Sequence, residues 1–267
     1  MRAWRALEQA LALGPAVLVS VDRVEGSGPR EEGAWMAVTP GCVLDTLGGG
    51  QLEFEAIAQA RAFLAAGSVT EPLRRYALGP SLGQCCGGVV HLRYEWLGAQ
   101  HIAGLRERLA SEQGLLPVAL FGGGHVGRAI VELLGRLPAR VHWVDSRDEI
   151  FPAELPDNVE AEHSDPVQAA VQDLAPGAKV LIMSFSHAED LDVVAACLQR
   201  RREQGDLPFI GLIGSKTKWA SFRQRLESRG FTAAELAAVT CPIGVPGIVG
   251  KQPEVIAVAV VAQLLQR

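Results

Sequence analysis

The chain has 267 residues and a net charge of −5, and 48% of its residues are hydrophobic while 21% are charged. This length suffices for one large or two modest domains, and the absence of a basic excess argues against a nucleic-acid partner. No apolar run reaches the length of a membrane span, and Glu8 interrupts the segment after the basic start, so we expect neither a signal peptide nor a membrane anchor. Five cysteines without disulfide-framework or zinc spacing fit a reducing compartment, so we expect a cytoplasmic protein.

The first hundred residues predict a small α+β domain. A helix is predicted over residues 3–13, and strands over 16–21, 34–38, 73–78 and 88–96. A second helix is predicted after three consecutive glycines, and its first turn contains a glutamate that complements the helix dipole.

Two loops in this region have the composition of anion-binding sites. In the first, Ser27 offers a hydroxyl and Arg30 a guanidinium, although a hairpin turn with a surface arginine has the same composition. In the second, Gly49 and Gly50 precede a predicted helix, where free N–H groups can bind an anion. A flexible turn that permits close packing is the alternative there. The sequence leaves both alternatives open.

The segment Gln84-Cys85-Cys86-Gly87 places two adjacent cysteines in a glycine-rich loop. A nearby helix end or arginine would lower a thiol pKa, and the thiolate would then be a nucleophile or a soft metal ligand. The alternative is that both side chains are small, buried and inert. Vicinal cysteines do not suit one tetrahedral zinc, so a structural zinc site is not expected. The other three cysteines, at positions 42, 197 and 241, are predicted to contribute mainly to packing.

The second half begins with the pattern of a nucleotide-binding fold. An apolar strand over residues 116–121 leads directly into G-x-G-x-x-G, formed by Gly122, Gly124 and Gly127, and an amphipathic helix follows. A second predicted strand ends at Asp145, about 20 residues later. Strand, glycine turn, helix, strand and acid are the order of a Rossmann βαβ unit.

Each residue of this turn has a separate predicted role. Gly122 permits the tight turn, Gly124 lets the backbone approach a pyrophosphate, and Gly127 lets the helix pack closely against the strand. The helix N-terminus supplies N–H groups and a positive dipole end for a phosphate. His125, inside the turn, lies beside the expected ligand path.

Further strands alternate with helices and predict a doubly wound parallel sheet. The expected organisation is an α+β domain over residues 1–98, a helix and linker over 99–115, and a Rossmann-like domain over 116–267. Ligands of such sheets lie at the carboxyl ends of the strands.

Two more groups of residues follow predicted strands of this sheet. His187 is a candidate proton donor or ligand, and a role in stabilising its loop is the alternative. Ser215 and Lys216 open a predicted helix and are candidates for phosphate contact, with a helix N-cap and a solvated cation as the alternative.

In their order along the chain, these motifs resemble the XdhC/CoxI family, the xanthine dehydrogenase accessory proteins. The set includes the double cysteine and covers nearly the whole chain. The matching segments are Gly26–Val38, Leu47–Glu53, Leu78–Gly88, Phe121–Arg128, Val144–Pro152, Ile210–Lys216 and Cys241–Leu264.

The resemblance implies a chaperone of the molybdenum cofactor rather than an enzyme. Such proteins bind the molybdopterin-type cofactor and hold it while its terminal oxo ligand is replaced by sulfur. They then deliver it to xanthine dehydrogenase or a related molybdenum hydroxylase. The implied partners are the apo-dehydrogenase, a cysteine-desulfurase-type sulfur donor and a second copy of the chain.

The same resemblance implies that Cys85 or Cys86 approaches the cofactor molybdenum or passes on sulfur. The motifs and the resemblance together predict a set of cofactor-binding residues. They are Ser27, Arg30, Gly49, Gly50, Gln84, Cys85, Cys86, Gly122, Gly124, His125, Gly127, Asp145, His187, Ser215 and Lys216.

One segment departs from the family pattern. The family often has Thr-His-x-His where this chain has Ser184-Phe185-Ser186-His187, so a role that needs both histidines is not implied here.

Two other functions are compatible with the glycine turn. One is an NAD(P)-dependent oxidoreductase, with Asp145 on the adenosine ribose and His187 as acid or base. The other is a nucleotide-sensing regulatory protein without turnover. The second half offers no convincing catalytic lysine or tyrosine, and an oxidoreductase would leave the double-cysteine loop without a role.

Overall fold

A computed structural model describes residues 2–79, 87–105, 108 and 114–266 of the protein, with side chains from Trp4 onward. The chain forms two compact units, Arg2–Gly114 and Leu115–Arg267. In the described parts of the chain, no helix has both the length and the apolar character needed to cross a bilayer.

The first unit is an antiparallel sheet with helices, as the sequence predicts. Its five strands lie in the order β3-β2-β1-β5-β4. The strands are β1 (Ala16–Glu25), β2 (Trp35–Val38), β3 (Val43–Asp45), β4 (Leu73–Ala77) and β5 (Val89–Leu97), and the helices are α1 (Arg2–Leu13) and α2 (Gly50–Ala66). The predicted helix and linker over 99–115 begins as a 3₁₀ turn, Ala99–His101, and residues 102–105 are helical.

The first six residues of the central strand β1, 16–21, are buried on both faces of the sheet, which explains why five of them are apolar. Val19 belongs to the core that includes Phe63 of α2, and Leu18 belongs to the core that includes Leu7 of α1. Alternate residues of a strand point to opposite faces of the sheet, so the two helices cover opposite sides of β1.

The second unit is a six-stranded parallel sheet in the order β11-β10-β9-β6-β7-β8, which confirms the predicted Rossmann-like class. The strands are β6 (Leu116–Phe121), β7 (Ala139–Asp145), β8 (Val159–His163), β9 (Lys179–Ile182), β10 (Phe209–Leu212) and β11 (Val239–Thr240). The helices are α3 (His125–Leu134), α4 (His187–Gln204), α5 (Lys216–Ser228), α6 (Ala233–Leu236) and α7 (Pro253–Leu265).

Three short elements of this unit have no counterpart in the sequence prediction: β8, α6 and β11. Val159 is the only buried residue of β8, because this strand is at the edge of the sheet, so its sequence lacks an apolar run. A 3₁₀ helix, Val167–Asp173, follows β8. Helix α7 is apolar on nearly all sides, but only one of its faces is buried. Val258, on another face, is 49% exposed.

The strand order reverses beside β6, and this reversal positions the site. β6 pairs with β7 on one side and with β9 on the other, and Phe121 is in register with both Val144 and Ile182. The loops after these three strands therefore begin at the same level of the sheet. Ligands of doubly wound sheets lie in the crevice at such a reversal.

A buried arginine of α4, Arg200, connects this helix to the segment that contains Val171 and Leu174. The Arg200 guanidinium is 6% exposed and donates to the carbonyl oxygens of Val171 (2.7 Å) and Leu174 (2.8 Å). It also pairs with the carboxylate of Asp206 at 2.5 Å. These hydrogen bonds offset the cost of burying the Arg200 charge. Removal of Arg200 would leave the Asp206 carboxylate and the carbonyl groups without a donor.

Substitution of Arg200 by alanine is expected to lower the free energy of unfolding by about 3–5 kcal/mol, because Asp206 and the buried carbonyl groups lose their donor. Urea unfolding measures this loss. Arg223, half-exposed and 4.0 Å from Glu227, is the control, and alanine there is expected to cost less than about 0.5 kcal/mol. Equal losses at the two positions would contradict a structural role for the buried network.

Candidate functional site

The glycine turn after β6 has the geometry that a phosphate-binding turn needs. Gly122 has a φ of 126°, and a Cβ there would lie 2.0 Å from the Met183 carbonyl oxygen. A Cβ on Gly127 would lie 2.1 Å from the carbonyl oxygen of Gly122, so glycine is required for helix α3 to approach the turn. A Cβ on Gly124, in contrast, would meet nothing within 4 Å among the described residues. The open space at Gly124 is where a ligand can approach the backbone.

The Asp145 carboxylate, at the end of β7, holds the glycine turn in place. Its side chain is 1% exposed, and Oδ2 accepts the N–H of Gly123 at 2.6 Å. Arg147 supplies three further donors: its backbone N–H and Nε to Oδ1, at 2.9 and 2.8 Å, and Nη2 to Oδ2 at 2.9 Å. Burial by itself raises the pKa of Asp145, but the hydrogen bonds from Arg147 and Gly123 outweigh it and lower the pKa below its usual range.

These contacts bear on the predicted ribose contact of Asp145. Both carboxylate oxygens already accept two hydrogen bonds each from the protein. A ribose hydroxyl would have to share an oxygen with these donors. The structure instead gives Asp145 a positioning role toward the turn and toward Arg147.

The loops after β7 and β9 meet beyond the end of β6. Ser146 donates its hydroxyl to Glu189 Oε1 at 2.9 Å, and the backbone N–H of Phe185 donates to Glu189 Oε2 at 3.1 Å. The Arg147 guanidinium carbon lies 4.5 Å from the centroid of the Phe185 ring, which is 65% exposed. Two side-chain contacts therefore span the crevice predicted to bind the ligand.

Beside this crevice, Asp190 and Lys218 form a buried ion pair. Asp190 Oδ2 lies 2.6 Å from Lys218 Nζ, with the side chains 3% and 12% exposed, and Oδ1 accepts the N–H of Ser184 at 2.7 Å. The ammonium also donates to the Ile213 carbonyl oxygen at 2.9 Å. Lys218 follows the predicted strand end but was not predicted as a site residue, because its spacing from that strand end gave no indication of burial.

A buried hydroxyl lies at the same strand end. Ser184 Oγ has no hydrogen-bond partner among the described residues. Buried polar atoms are rarely left unpaired, and those that are often contact a ligand or water.

The remaining candidates of this unit lie at helix starts. Ser215 Oγ accepts the Lys218 N–H at 3.1 Å and is the N-cap of α5, and Lys216 is exposed, so the capping alternative applies to Ser215. His187 is exposed at the start of α4, with its ring 6.2 Å from that of Phe222. His125 is exposed as the first residue of α3, beside the open space at Gly124.

In the first unit, the two predicted anion loops lie against each other. Arg30 Nη1 donates to the Thr46 carbonyl oxygen at 3.1 Å, and a Cβ on Gly48 would lie 2.8 Å from Cβ of Pro29. Gly88 belongs to the same group of loops, because a Cβ there would lie 2.1 Å from the carbonyl oxygen of Ser27. The structure thus brings together two loops that the sequence could only consider separately.

The donors of the triple-glycine turn are partly used by the protein itself. Glu53 Oε2 accepts the N–H of Leu47 at 2.7 Å and of Gly49 at 3.1 Å, and also the hydroxyl of Thr46. Burial raises the pKa of Glu53, but these hydrogen bonds outweigh it and lower the pKa below its usual value. An anion at Gly49 and Gly50 would therefore have to bind beside a carboxylate.

The segment Gln84-Cys85-Cys86, with its predicted role in binding the cofactor, lies outside the described residues. The N–H of Leu78 donates to the Gly88 carbonyl oxygen at 2.8 Å and joins the chain on either side of this segment. Of the other cysteines, Cys197 is buried as predicted, whereas Cys42 is exposed, so the expectation that it packs is wrong. Cys241 is half-buried, 4.0 Å from the Ser215 carbonyl oxygen.

A Rossmann-type domain with this turn, joined to an α+β domain, defines the class of protein. The family model described as the XdhC Rossmann domain matches residues 118–264, and that of the XdhC and CoxI family matches residues 10–77. The chain belongs to the XdhC/CoxI family.

Individual proteins show how far this similarity extends. The chain is 26% identical over 257 residues to YqeB, an uncharacterized protein of Escherichia coli (strain K12), covering 94% of this chain and 43% of YqeB. It thus spans less than half the length of that relative. A Bacillus halodurans crystal structure described as a xanthine dehydrogenase matches with a TM-score of 0.73 and 20% identity, over 98% of this chain and 95% of that one. At this identity, the likeness shows the fold.

Two alanine substitutions separate the roles of the glycines. Gly127→Ala is expected to destabilise the protein by about 1–3 kcal/mol or more, because its Cβ would overlap a backbone oxygen. Gly124→Ala is expected to cost about 1 kcal/mol or less, since its Cβ would enter open space at a helix N-cap. Urea unfolding of both variants checks this, and an equal loss at both positions would contradict it.

The stability contributed by Asp145 depends on pH. Because its pKa is lowered in the folded state, this contribution is complete above the unfolded pKa of about 3.9 and is lost as pH falls through the folded pKa. Asp145→Asn is expected to lower the free energy of unfolding by about 1–3 kcal/mol at pH 7, with a smaller penalty at pH 3. Urea unfolding at the two values measures it, and a pH-independent difference would contradict this linkage.

Proposed function

We propose that this protein binds the molybdenum cofactor as cargo and delivers it to a molybdenum hydroxylase of the xanthine dehydrogenase type. Its role is that of an accessory protein without turnover of its own. Membership of the XdhC/CoxI family supports the accessory role.

The observation that carries the proposal is the convergence of loops in the first unit. Arg30 and Thr46 join the two predicted anion loops, and Gly88, which follows Cys86 by two residues in the chain, lies against Ser27. Hydroxyl, guanidinium and backbone N–H groups therefore belong to loops that contact one another and the chain at Gly88. A phosphate and the hydrogen-bonding edges of a pterin require donors of these kinds.

The second unit offers a second set of groups that fit such cargo. The open backbone at Gly124, at the start of α3, suits a phosphate, and His125 is exposed next to it. We propose that the residues predicted from the sequence bind the cofactor at these two places. Cys85 or Cys86 would contact its molybdenum or pass on sulfur, since thiolates are soft metal ligands.

The proposed function requires partners. An apo-dehydrogenase receives the cofactor, a cysteine-desulfurase-type donor supplies the sulfur that replaces the oxo ligand, and a second copy of the chain forms a homodimer. These partners follow from the family resemblance and are tested by reconstitution with each component.

The second candidate function is nucleotide binding at the Rossmann turn, in an NAD(P)-dependent oxidoreductase or a nucleotide-sensing regulatory protein. The open space at Gly124 favours a nucleotide of some kind. The hydrogen bonds already accepted by Asp145 disfavour the usual ribose contact. An oxidoreductase would also need a catalytic acid or base at this site. Lys218 is buried in an ion pair, and His187 is exposed with its ring near Phe222, so the contacts of these two residues do not define one.

Purification of the protein in its loaded form distinguishes these functions. We expect acid oxidation of the loaded protein to release a fluorescent pterin product, and we expect the loaded protein to activate apo-dehydrogenase in vitro. If loading fails and NADH binds with a micromolar Kd, the chaperone proposal is wrong and the oxidoreductase or sensor is favoured.

The thiol role is tested by single and double alanine substitutions at Cys85 and Cys86. At least one of them is expected to reduce the retained pterin or the activation of apo-dehydrogenase while thermal unfolding stays unchanged. Cys42→Ala, which removes an exposed thiol in the same unit, is the control and is expected to behave as the wild type. Unchanged retention and delivery in both single variants and the double variant would contradict the thiol role.

A further inference from the structure

We propose that Arg147 and Phe185 are the two walls of a stacking slot for a planar heteroaromatic ring, whose phosphate binds at the neighbouring glycine turn. The inference deepens the proposed function, because it names the class of ligand that the second unit takes. It rests on the proposed function only if the ring is a pterin, because a nucleotide also combines a planar heteroaromatic ring with a phosphate.

The position of the two residues is the first argument. β7 and β9 flank β6, and Phe121 pairs in register with Val144 of β7 and with Ile182 of β9. Arg147 follows β7 and Phe185 follows β9, so their contact at 4.5 Å lies across the end of the strand that leads into the glycine turn. Arg147 is also linked to the glycine turn, because the Asp145 carboxylate that binds it accepts the N–H of Gly123, the residue before the open backbone at Gly124.

Arg147 forms the fixed wall. Its Nε and Nη2 are held by the Asp145 carboxylate, which is buried and also accepts the Gly123 N–H. One carboxylate therefore positions both the turn and the guanidinium plane. Nη1 of Arg147 has no hydrogen-bond partner among the described residues, so its N–H groups can donate to an anionic group on the ligand.

Phe185 forms the movable wall. Its ring is 65% exposed, so the hydrophobic core does not account for its position, while its backbone N–H is anchored to Glu189. A ring inserted between the guanidinium group and the phenyl ring needs about 3.5 Å on each side. The distance from the guanidinium carbon to the centroid of the phenyl ring must therefore increase from 4.5 Å to about 7 Å. Rotation of the exposed phenyl ring opens the slot without breaking the hydrogen bonds of Arg147.

The unpaired hydroxyl next to Phe185 is an independent observation at the same strand end. Ser184 Oγ is buried without a partner among the described residues, and Ser184 directly precedes Phe185 in the chain. The exchange of one cation–π contact for two stacking contacts is favourable, since a base on an aromatic side chain is commonly worth about tenfold or more in affinity.

The first experiment measures binding by calorimetry with three probes: ADP, which has ring and phosphate, adenosine, which lacks the phosphate, and ribose 5-phosphate, which lacks the ring. The second compares the pterin retained by the loaded protein. Both use the wild type and Phe185→Leu, with Phe54→Leu as the control, because Phe54 is 69% exposed and lies in the other unit. Thermal unfolding verifies that all variants are folded.

We expect Phe185→Leu to weaken ADP binding about tenfold, or to reduce retained pterin by a similar factor, while ribose 5-phosphate binding and the control variant stay unchanged. Whichever of the two ligands responds identifies the source of the ring. If neither ligand binds the wild type, or if both bind Phe185→Leu as they bind the wild type, the slot is disproved. A Phe185-dependent ADP affinity with no retained pterin would support the slot and refute the chaperone function.

Discussion

The buried Asp145 carboxylate is the constraint on which the candidate site depends. It ends β7, accepts the N–H of Gly123 and holds the guanidinium of Arg147, so it joins two neighbouring loops by charge-assisted hydrogen bonds. A carboxylate without these donors would be costly to bury. The glycine turn and the arginine that contacts Phe185 are therefore held by the same carboxylate.

The parallel sheet provides the framework for this assembly. Since β6 pairs with β7 and β9 in the same register, three loops begin at one level, and their polar groups are presented at one edge. In the first unit a different architecture gives a similar result. Its loops can approach each other because Gly48 and Gly88 have no Cβ, which would overlap the neighbouring loop. Each unit thus concentrates hydrogen-bond donors where backbone segments come close together.

Much of the fold could be predicted from the sequence, because strong local patterns coincide with real elements. Continuous apolar runs marked β6, β9 and β10, and the glycine spacing predicted the βαβ unit. Short edge elements such as β8 and β11 were missed, since β8 has a single buried residue and β11 only two residues, so neither produces an apolar period. The burial of Lys218 could not be predicted, because it depends on Asp190, which lies 28 residues away.

The sequence by itself determined the class of fold, the family and the segments from which a site can be built, because hydrophobic period, glycine spacing and motif order are local properties. Only the tertiary structure decided how those residues are used. Asp145 and Glu53 accept donors from the protein itself, Ser215 caps a helix, and Arg147 meets Phe185 across β6. Such pairings are set by strand register and loop geometry, which bring together residues that are distant in the chain.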